Sequence, residues 1–517
     1  MVTTAIPGTL IEADSILYAP SVVQQQREGV CLLIDPAAPN WVSTNGLGSQ
    51  VVRRCDGRHT LGEIVESLSH ELELKAWDLV HFIHQAVGAG ILSTGPDLAP
   101  AYRGRAEAIG PEKLEELWIT TNLSCPLRCK HCLVNAGVKP PRPMTTAEIE
   151  KLVDDAVALG VKRIYFTGGE PLLRRDLFAL VEYVTARAQL VVLTSGVLVS
   201  EEKVAKLKAL DNGNLLVQVS LEGPDAETND AIRGSGNFDR AVRGIKRLVD
   251  AGLPPIVTTT ITKLNHQRVT DTTRFVASLG VQDHHVLWLH GRGRMRQNVD
   301  DLSLPGARVS EVMGELRQTA KQAGIIVDNA ESLRVRVESG RGRKNDLCNA
   351  CFGMLSVNAD GHVYPCAALS GAPGFDCGSI KEKSLKEIWQ ESPVASWIRQ
   401  DSVQKRVGCN SCFLKYFCGG GCFAQSYFAY EMTQGYGCIM APDPYCEAYK
   451  TQLLDLMWEA AMPGPEDRDD SRPMLYHAMD PDPPSCAVDG NKVLDAAFNV
   501  GTYHCACVLA MDVNGGS

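Results

Sequence analysis

The chain has few aromatic residues, no surplus of positive charge and no hydrophobic run near the roughly 20 residues needed to cross a bilayer. Aromatic side chains make up 6% of 517 residues, so any large core must be mainly aliphatic. Lys and Arg number 51 against 61 Asp and Glu, a formal net charge of −10. That balance offers no footprint for nucleic acid or for an anionic membrane surface. Met1 to Ser15 lack the basic start and apolar block of a signal peptide. A cytoplasmic location follows as the expectation, and there thiols stay reduced.

Cysteine is absent from long stretches: only Cys31 and Cys55 precede residue 120, and none lies between Cys132 and Cys348. Yet the total is 18, and nine fall between Cys351 and Cys446. Clustering of this kind in a reducing compartment points to metal ligation more than to a disulfide framework.

At this length, two to four domains are expected. Residues 1–100 read as a small α+β unit, with strands at Gly29–Pro36 and Trp41–Ser43. Helices follow at Gly46–Arg54, at Thr60–Leu68 behind a capping box (Thr60, Glu63), and at Ala76–Ala89. Pro96 to Gly110 reads as a linker. Residues 114–345 alternate β-rich runs with amphipathic helices. The strand candidates are Leu117–Thr120, Arg163–Thr167, Leu190–Thr194, Leu215–Leu221, Ile256–Thr262 and His285–Leu289. Six such units imply parallel strands with right-handed crossovers in an α/β partial (β/α)6 barrel, with the chemistry on loops after the strands. Residues 346–460 lose this rhythm and are rich in Cys and Gly, as expected where metal clusters replace an apolar core. Residues 461–517 form a tail that begins Pro/Asp-rich and ends with Cys486 and His504-Cys505-Ala506-Cys507. It could cap a cluster, extend silently, or be a substrate-like segment fused in cis.

Directly after the first barrel strand stands Cys125-x3-Cys129-x2-Cys132. Three thiolates on one loop suit three irons of a [4Fe–4S] cube and leave the fourth open to a chelating molecule. Structural zinc would want a fourth ligand, and His131, lying between two ligands, is poorly placed to serve. Here the chain resembles the radical SAM superfamily. Gly168-Gly169-Glu170-Pro171 is similar to that family's GGEP motif, and Ser195 stands in its Thr-Asn-Gly turn. Ser220 and Glu222 match its Ser-x-Asp-Gly segment, with Glu in place of Asp, and Arg233 matches a partner for the methionine carboxylate. Gly291-Arg292-Gly293-Arg294 is similar to its last cofactor-side motif. The resemblance implies that S-adenosylmethionine binds the open iron and is reductively cleaved to methionine and a 5′-deoxyadenosyl radical.

Cys351-x9-Gly361-x4-Cys366, then Cys409-x2-Cys412-x5-Cys418-x3-Cys422 and Cys446, resembles the SPASM domain. By that resemblance Cys348, Cys351, Cys366 and Cys422 hold one auxiliary [4Fe–4S] cluster. Cys409, Cys412, Cys418 and Cys446 hold a second, with Cys438 competing for the last place, for three clusters in all. Cys377 falls outside the pattern and reads as a small buried side chain.

Leu33 to Trp41, Asn45 and Asp56-Gly57-Arg58-His59-Thr60 resemble the pyrroloquinoline-quinone chaperone-like fold. That implies a winged helix-turn-helix-like unit that captures the leader of a ribosomally made precursor peptide as an added strand. Together these resemblances imply a peptide-modifying or crosslinking maturase fed by flavodoxin or ferredoxin, with no nucleic-acid or membrane partner. No catalytic acid or base is legible. The alternatives are a sulfatase-type maturase, disfavoured by Ala367 where those relatives carry Asp, and a non-catalytic iron–sulfur electron carrier or peptide-binding protein.

Overall fold

The computed structural model describes residues 11–96, 102–108, 113–137, 142–346 and 348–479. The parts of the linker and tail beyond these, including Cys486, Cys505 and Cys507, lie outside the described residues.

The N-terminal unit begins with β1 (Ile16–Tyr18), β2 (Val23–Arg27), β3 (Val30–Asp35) and β4 (Asn40–Asn45). It continues through helix α1 (Gly46–Arg54), β5 (Asp56–Thr60), α2 (Leu61–Glu71) and α3 (Ala76–Gly88). The two expected strands and three helices are present, and the capping box on Thr60 and Glu63 forms at α2. Short β1 and β5, which pair with each other, and polar β2 (Val-Gln-Gln-Gln-Arg) carried no apolar alternation to announce them. All six side chains of β3 and of β4 are buried. One face packs on α1–α3; the other, through Leu32, Ile34 and Trp41, packs on the helix Cys446–Ala461.

The barrel strands are β6 (Glu116–Asn122), β7 (Arg163–Gly168), β8 (Gln189–Thr194), β9 (Leu215–Ser220), β10 (Ile256–Ile261) and β11 (His284–Trp288). Each lies within two residues of its expected place. All six are parallel, in the order β11-β10-β9-β8-β7-β6. The sheet is open, as a six-unit barrel requires. Helices cover one side and the auxiliary region part of the other, which is why the strands read as near-continuous apolar runs.

The sheet does not stop at residue 345. Strand β12 (Met354–Val357) runs parallel to β6, pairing Met354 with Glu116, and β13 (His362–Tyr364) and β14 (Gly378–Ser379) follow antiparallel. A single hydrophobic core spans the barrel and the cysteine-rich region, from Leu117 to Trp389 and Phe423. Finally β15 (Leu475–Ala478), from the tail, pairs antiparallel with β4 and completes a four-stranded sheet, β15-β4-β3-β2. The tail is thus structured in its first part and belongs to the N-terminal unit.

Candidate active site

At the carboxyl ends of the barrel strands a half-enclosed cavity of about 230 Å3 opens. Its wall includes Cys125, Cys129 and Cys132 from the loop after β6, Gly168 and Gly169 from the end of β7, Ser195, Ser220 and Arg233. Cys366 and Cys422 of the cysteine-rich region line it as well. Cys125, Gly168, Ser195 and Ser220, far apart in sequence, converge because each ends or follows a parallel strand.

Backbone approach decides the glycines. A Cβ on Gly169 would lie 2.1 Å from the Ser124 carbonyl oxygen, so the cysteine loop rests directly on this residue. At the other end of the loop Gly293 (φ +66°) plays the same part: a Cβ there would come 2.1 Å from the Cys132 carbonyl oxygen. Arg294 then clamps the loop, donating from its backbone N–H to Cys132 O at 3.0 Å. Its side chain reaches Cys129 O at 3.0 Å and Ala136 O at 2.6 Å. Arg294 was legible in the sequence only as the weakest of the motif matches.

Glu170 and Glu222 lie behind the wall. The buried Glu170 carboxylate accepts from Thr194 Oγ1 (2.8 Å), Ser195 N (2.9 Å), Ser195 Oγ (2.5 Å) and Leu172 N (3.1 Å). It therefore ties the β7 loop to the β8 turn. Glu222 accepts from Arg233 Nη2 at 2.6 Å and Nε at 2.9 Å, and from Thr260 N at 2.7 Å; His131 Nε2 lies at 3.2 Å. Burial would raise its carboxyl, but Arg233 and His131 outweigh that and hold it down to about 2. Thus Glu222 and Arg233, expected as separate cofactor contacts, are partners of each other, with Arg233 Nη1 3.9 Å from Cys129 Sγ.

The chemistry of the wall suits a cluster and a polar ligand. Burial pushes the Cys125 thiol up to about 11 and raises Cys129 too, although Arg233 moderates the latter. Buried thiols of this kind become stable anions only against a cation. Gln218 Oε1 and His131 Nδ1, both buried, have no hydrogen-bond partner among the described residues. Nor do three His, Cys, Asp or Glu side chains there converge as ligands of one metal ion. A cube, with one thiolate per iron, needs no such single focus.

Eight of the remaining described cysteines make up the two sets expected as auxiliary-cluster ligands. Cys348, Cys351, Cys366 and Cys422 are buried, and the Arg105 guanidinium lies near Cys348 and Cys351. Cys351 takes φ +64°, a conformation costing about 1–3 kcal/mol outside glycine and retained only where the surroundings impose it. Cys377 lies against Cys351 and exchanges a thiol hydrogen bond with it, a contact its sequence position did not signal. Cys409, Cys412, Cys418 and Cys446 form the second group. Burial pushes Cys446 up to about 11 and Cys418 up to about 12, with thiols of the same group adding to both. His290, also unforeseen, stands on the cavity wall with Nε2 3.8 Å from Cys422 Sγ.

Three family models match the chain: the radical SAM superfamily over residues 119–276, an iron–sulfur cluster-binding domain over 330–413, and coenzyme PQQ synthesis protein D over 31–92. An AdoMet-dependent heme synthase of Nitratidesulfovibrio vulgaris is 30% identical over 376 residues, covering 67% of this chain and 97% of that protein. The mycofactocin maturase MftC of Mycolicibacterium smegmatis is 29% identical over 338 residues, covering 62% of this chain and 80% of its own. Among solved structures, Streptococcus suis SuiB bound to its precursor peptide SuiA superposes with a TM-score of 0.51 at 16% identity, covering 78% of this chain and 96% of that one. The three matched segments run in the order of the N-terminal unit, the barrel and the cysteine-rich region, and this chain belongs to the radical SAM superfamily.

Proposed function

We propose that the chain reductively cleaves S-adenosylmethionine and uses it to modify or crosslink a ribosomally made precursor peptide. One observation carries the reading: a single cavity is lined both by Cys125, Cys129 and Cys132 and by Cys366 and Cys422 of the cysteine-rich region. A substrate there would lie between the cofactor and an auxiliary cluster. The maturase and SuiB relatives, and the match to PQQ synthesis protein D over 31–92, favour a peptide.

In this reading Cys125, Cys129 and Cys132 hold a [4Fe–4S] cluster whose open iron takes S-adenosylmethionine. Cys348, Cys351, Cys366 and Cys422 hold one auxiliary cluster, and Cys409, Cys412, Cys418 and Cys446 the other. When bound and reduced by a flavodoxin or ferredoxin, such a cluster would supply the electron for cleavage. Gly168 and Gly169 bring backbone close to the cofactor, Glu170 fixes the Ser195 turn, and Ser220 lines the cavity. Glu222 holds Arg233 beside Cys129. Residues 1–100 take the leader, 114–345 the cofactor and 346–460 the auxiliary clusters, in the cytoplasm, where these thiols stay reduced.

The test is anaerobic. Iron and sulfide are reconstituted, dithionite and S-adenosylmethionine are added, and 5′-deoxyadenosine and iron are measured together. Deoxyadenosine with about 12 irons per chain is expected, as three four-iron clusters require. Full loading without deoxyadenosine, with and without candidate precursor peptides, sinks the reading. The identity to a heme synthase favours a second substrate, a haem-precursor porphyrin. Consumption of such a porphyrin in step with deoxyadenosine would move the assignment there.

A further inference from the structure

The N-terminal sheet has two edges, and they are unlike. The β2 edge presents the polar Gln24, Gln25 and Gln26 and ends on Arg27, a charged residue of the kind that discourages strand addition. The β4 edge borders an apolar cleft beside α3, and the chain's own β15 fills it. Strand β15 does there what a captured peptide would do. It runs antiparallel to β4, setting Leu475 opposite Thr44 and Ala478 opposite Val42, with a bulge between. Leu475 and Ala478 pack on the core of α1–α3, and Tyr476 and Met479 on the opposite core. The His477 ring stacks on Trp41, with centroids 4.3 Å apart and planes 16° from parallel.

Asn45 is the clamp. Its Oδ1 caps α1 by accepting from Gly48 N at 2.8 Å, and also accepts from Met474 N at 3.2 Å. Its Nδ2 donates to Asp469 O at 2.8 Å and Arg472 O at 2.6 Å. Thr44 Oγ1 adds a bond to Met474 O at 2.5 Å. All of these except the Gly48 cap bond end on main-chain atoms of the tail. Main-chain bonds do not distinguish one peptide from another, so these bonds select an extended strand and leave side-chain preference to the cleft and Trp41.

We propose that residues 469–479 are a cis occupant of the peptide-docking edge, and that a precursor's leader gains β4 only by displacing β15. This rests on the peptide-modifying reading above. The fitting partner is an extended segment with apolar side chains three residues apart and, between them, a ring to lie on Trp41. Because β15 is tethered, it competes at the high effective concentration of an intramolecular partner. A leader's apparent Kd is therefore weakened by the fraction of molecules in which the edge is open. Cleavage of S-adenosylmethionine itself should not depend on this exchange.

The experiment uses the full reconstituted chain and a labelled synthetic peptide of residues 466–479 as the probe. Leu475→Asp puts a charge into the apolar cleft and loosens β15 without touching the strand-end cavity. The expected result is binding at least about tenfold tighter by this variant than by the unsubstituted chain, read by fluorescence anisotropy. Binding equal to that of the unsubstituted chain overturns the proposal. A second measurement needs no variant. With the unsubstituted chain and saturating peptide, hydrogen exchange at Tyr476–Ala478 should rise while β4 stays protected. If both strands keep their protection, β15 is not exchangeable and the proposal fails. Should the exchange occur while no precursor is ever modified, the proposed function falls and the cis strand stands.

Discussion

Arg233 and Glu222 form a buried bidentate pair, with Arg233 Nη2 and Nε 2.6 and 2.9 Å from the same carboxylate oxygen, in contact distance of the cysteine loop. Glu222→Gln strips the charge that Arg233 and His131 face. We expect the apo chain to lose about 3–5 kcal/mol in urea unfolding, the usual cost of breaking a buried pair. The pH dependence has a definite sign. Burial opposes ionisation, but Arg233 and His131 prevail and depress the Glu222 carboxyl from 4.5 to about 2. Its contribution is therefore present above about pH 4.5 and lost as pH falls towards 2. In the Gln variant that acid limb should flatten; an unchanged limb would show that Glu222 does not carry it.

Gly169→Ala and Gly293→Ala press on the two ends of the cysteine loop, at Ser124 and at Cys132. Each new Cβ would meet a loop carbonyl at 2.1 Å, and main chain must move to relieve it. We expect each to reduce deoxyadenosine formation by about 100-fold, the order set by a misplacement of about 1 Å. Iron bound at the auxiliary groups should remain.

Cys446 and Cys438 are separated by iron analysis. Cys446 shares its surroundings with Cys409 and Cys412, whose thiols help to raise it. Cys446→Ala should lower iron by up to about four per chain, one cube's content, whereas Cys438→Ala should leave it unchanged. The reverse pattern would reassign the last ligand.

Arg105 is fully buried, and its guanidinium donates to Cys348 O, Ile398 O and Asp401 O at 2.6–3.0 Å. Arg105→Ala removes three hydrogen bonds to main-chain carbonyls and leaves a cavity in their place. A loss of about 3–5 kcal/mol is expected in chemical unfolding, together with weaker retention of iron by the Cys348 group.

The barrel was legible because strands such as Ile256–Ile261 are buried along their whole length and so read as apolar and β-branched runs. The three cysteines and the two glycines were legible because loop spacing is local. Arg105 was not, since it sits in a stretch that reads as linker while its partners lie more than 240 residues away in sequence. The pairing of Glu222 with Arg233 was hidden as well: both matched cofactor motifs, and only the turn of helix Ala226–Arg233 brings them face to face. Strands β12 and β15 have four residues each, too few for a period to register, and both are set by partners distant in the chain.

The pairing of β12 with β6 has a consequence for how the molecule can be taken apart. The iron–sulfur region is not a detachable module bolted to a finished barrel; its first strand seals the flank of β6. A fragment ending before residue 346 would bare the row of N–H and C=O groups along Glu116–Ile119 that Met354–Val357 now satisfies. Such raw flanks recruit other chains. Excision would therefore produce a sticky, self-associating barrel, and transplantation of the region into another host would have to carry its own docking strand.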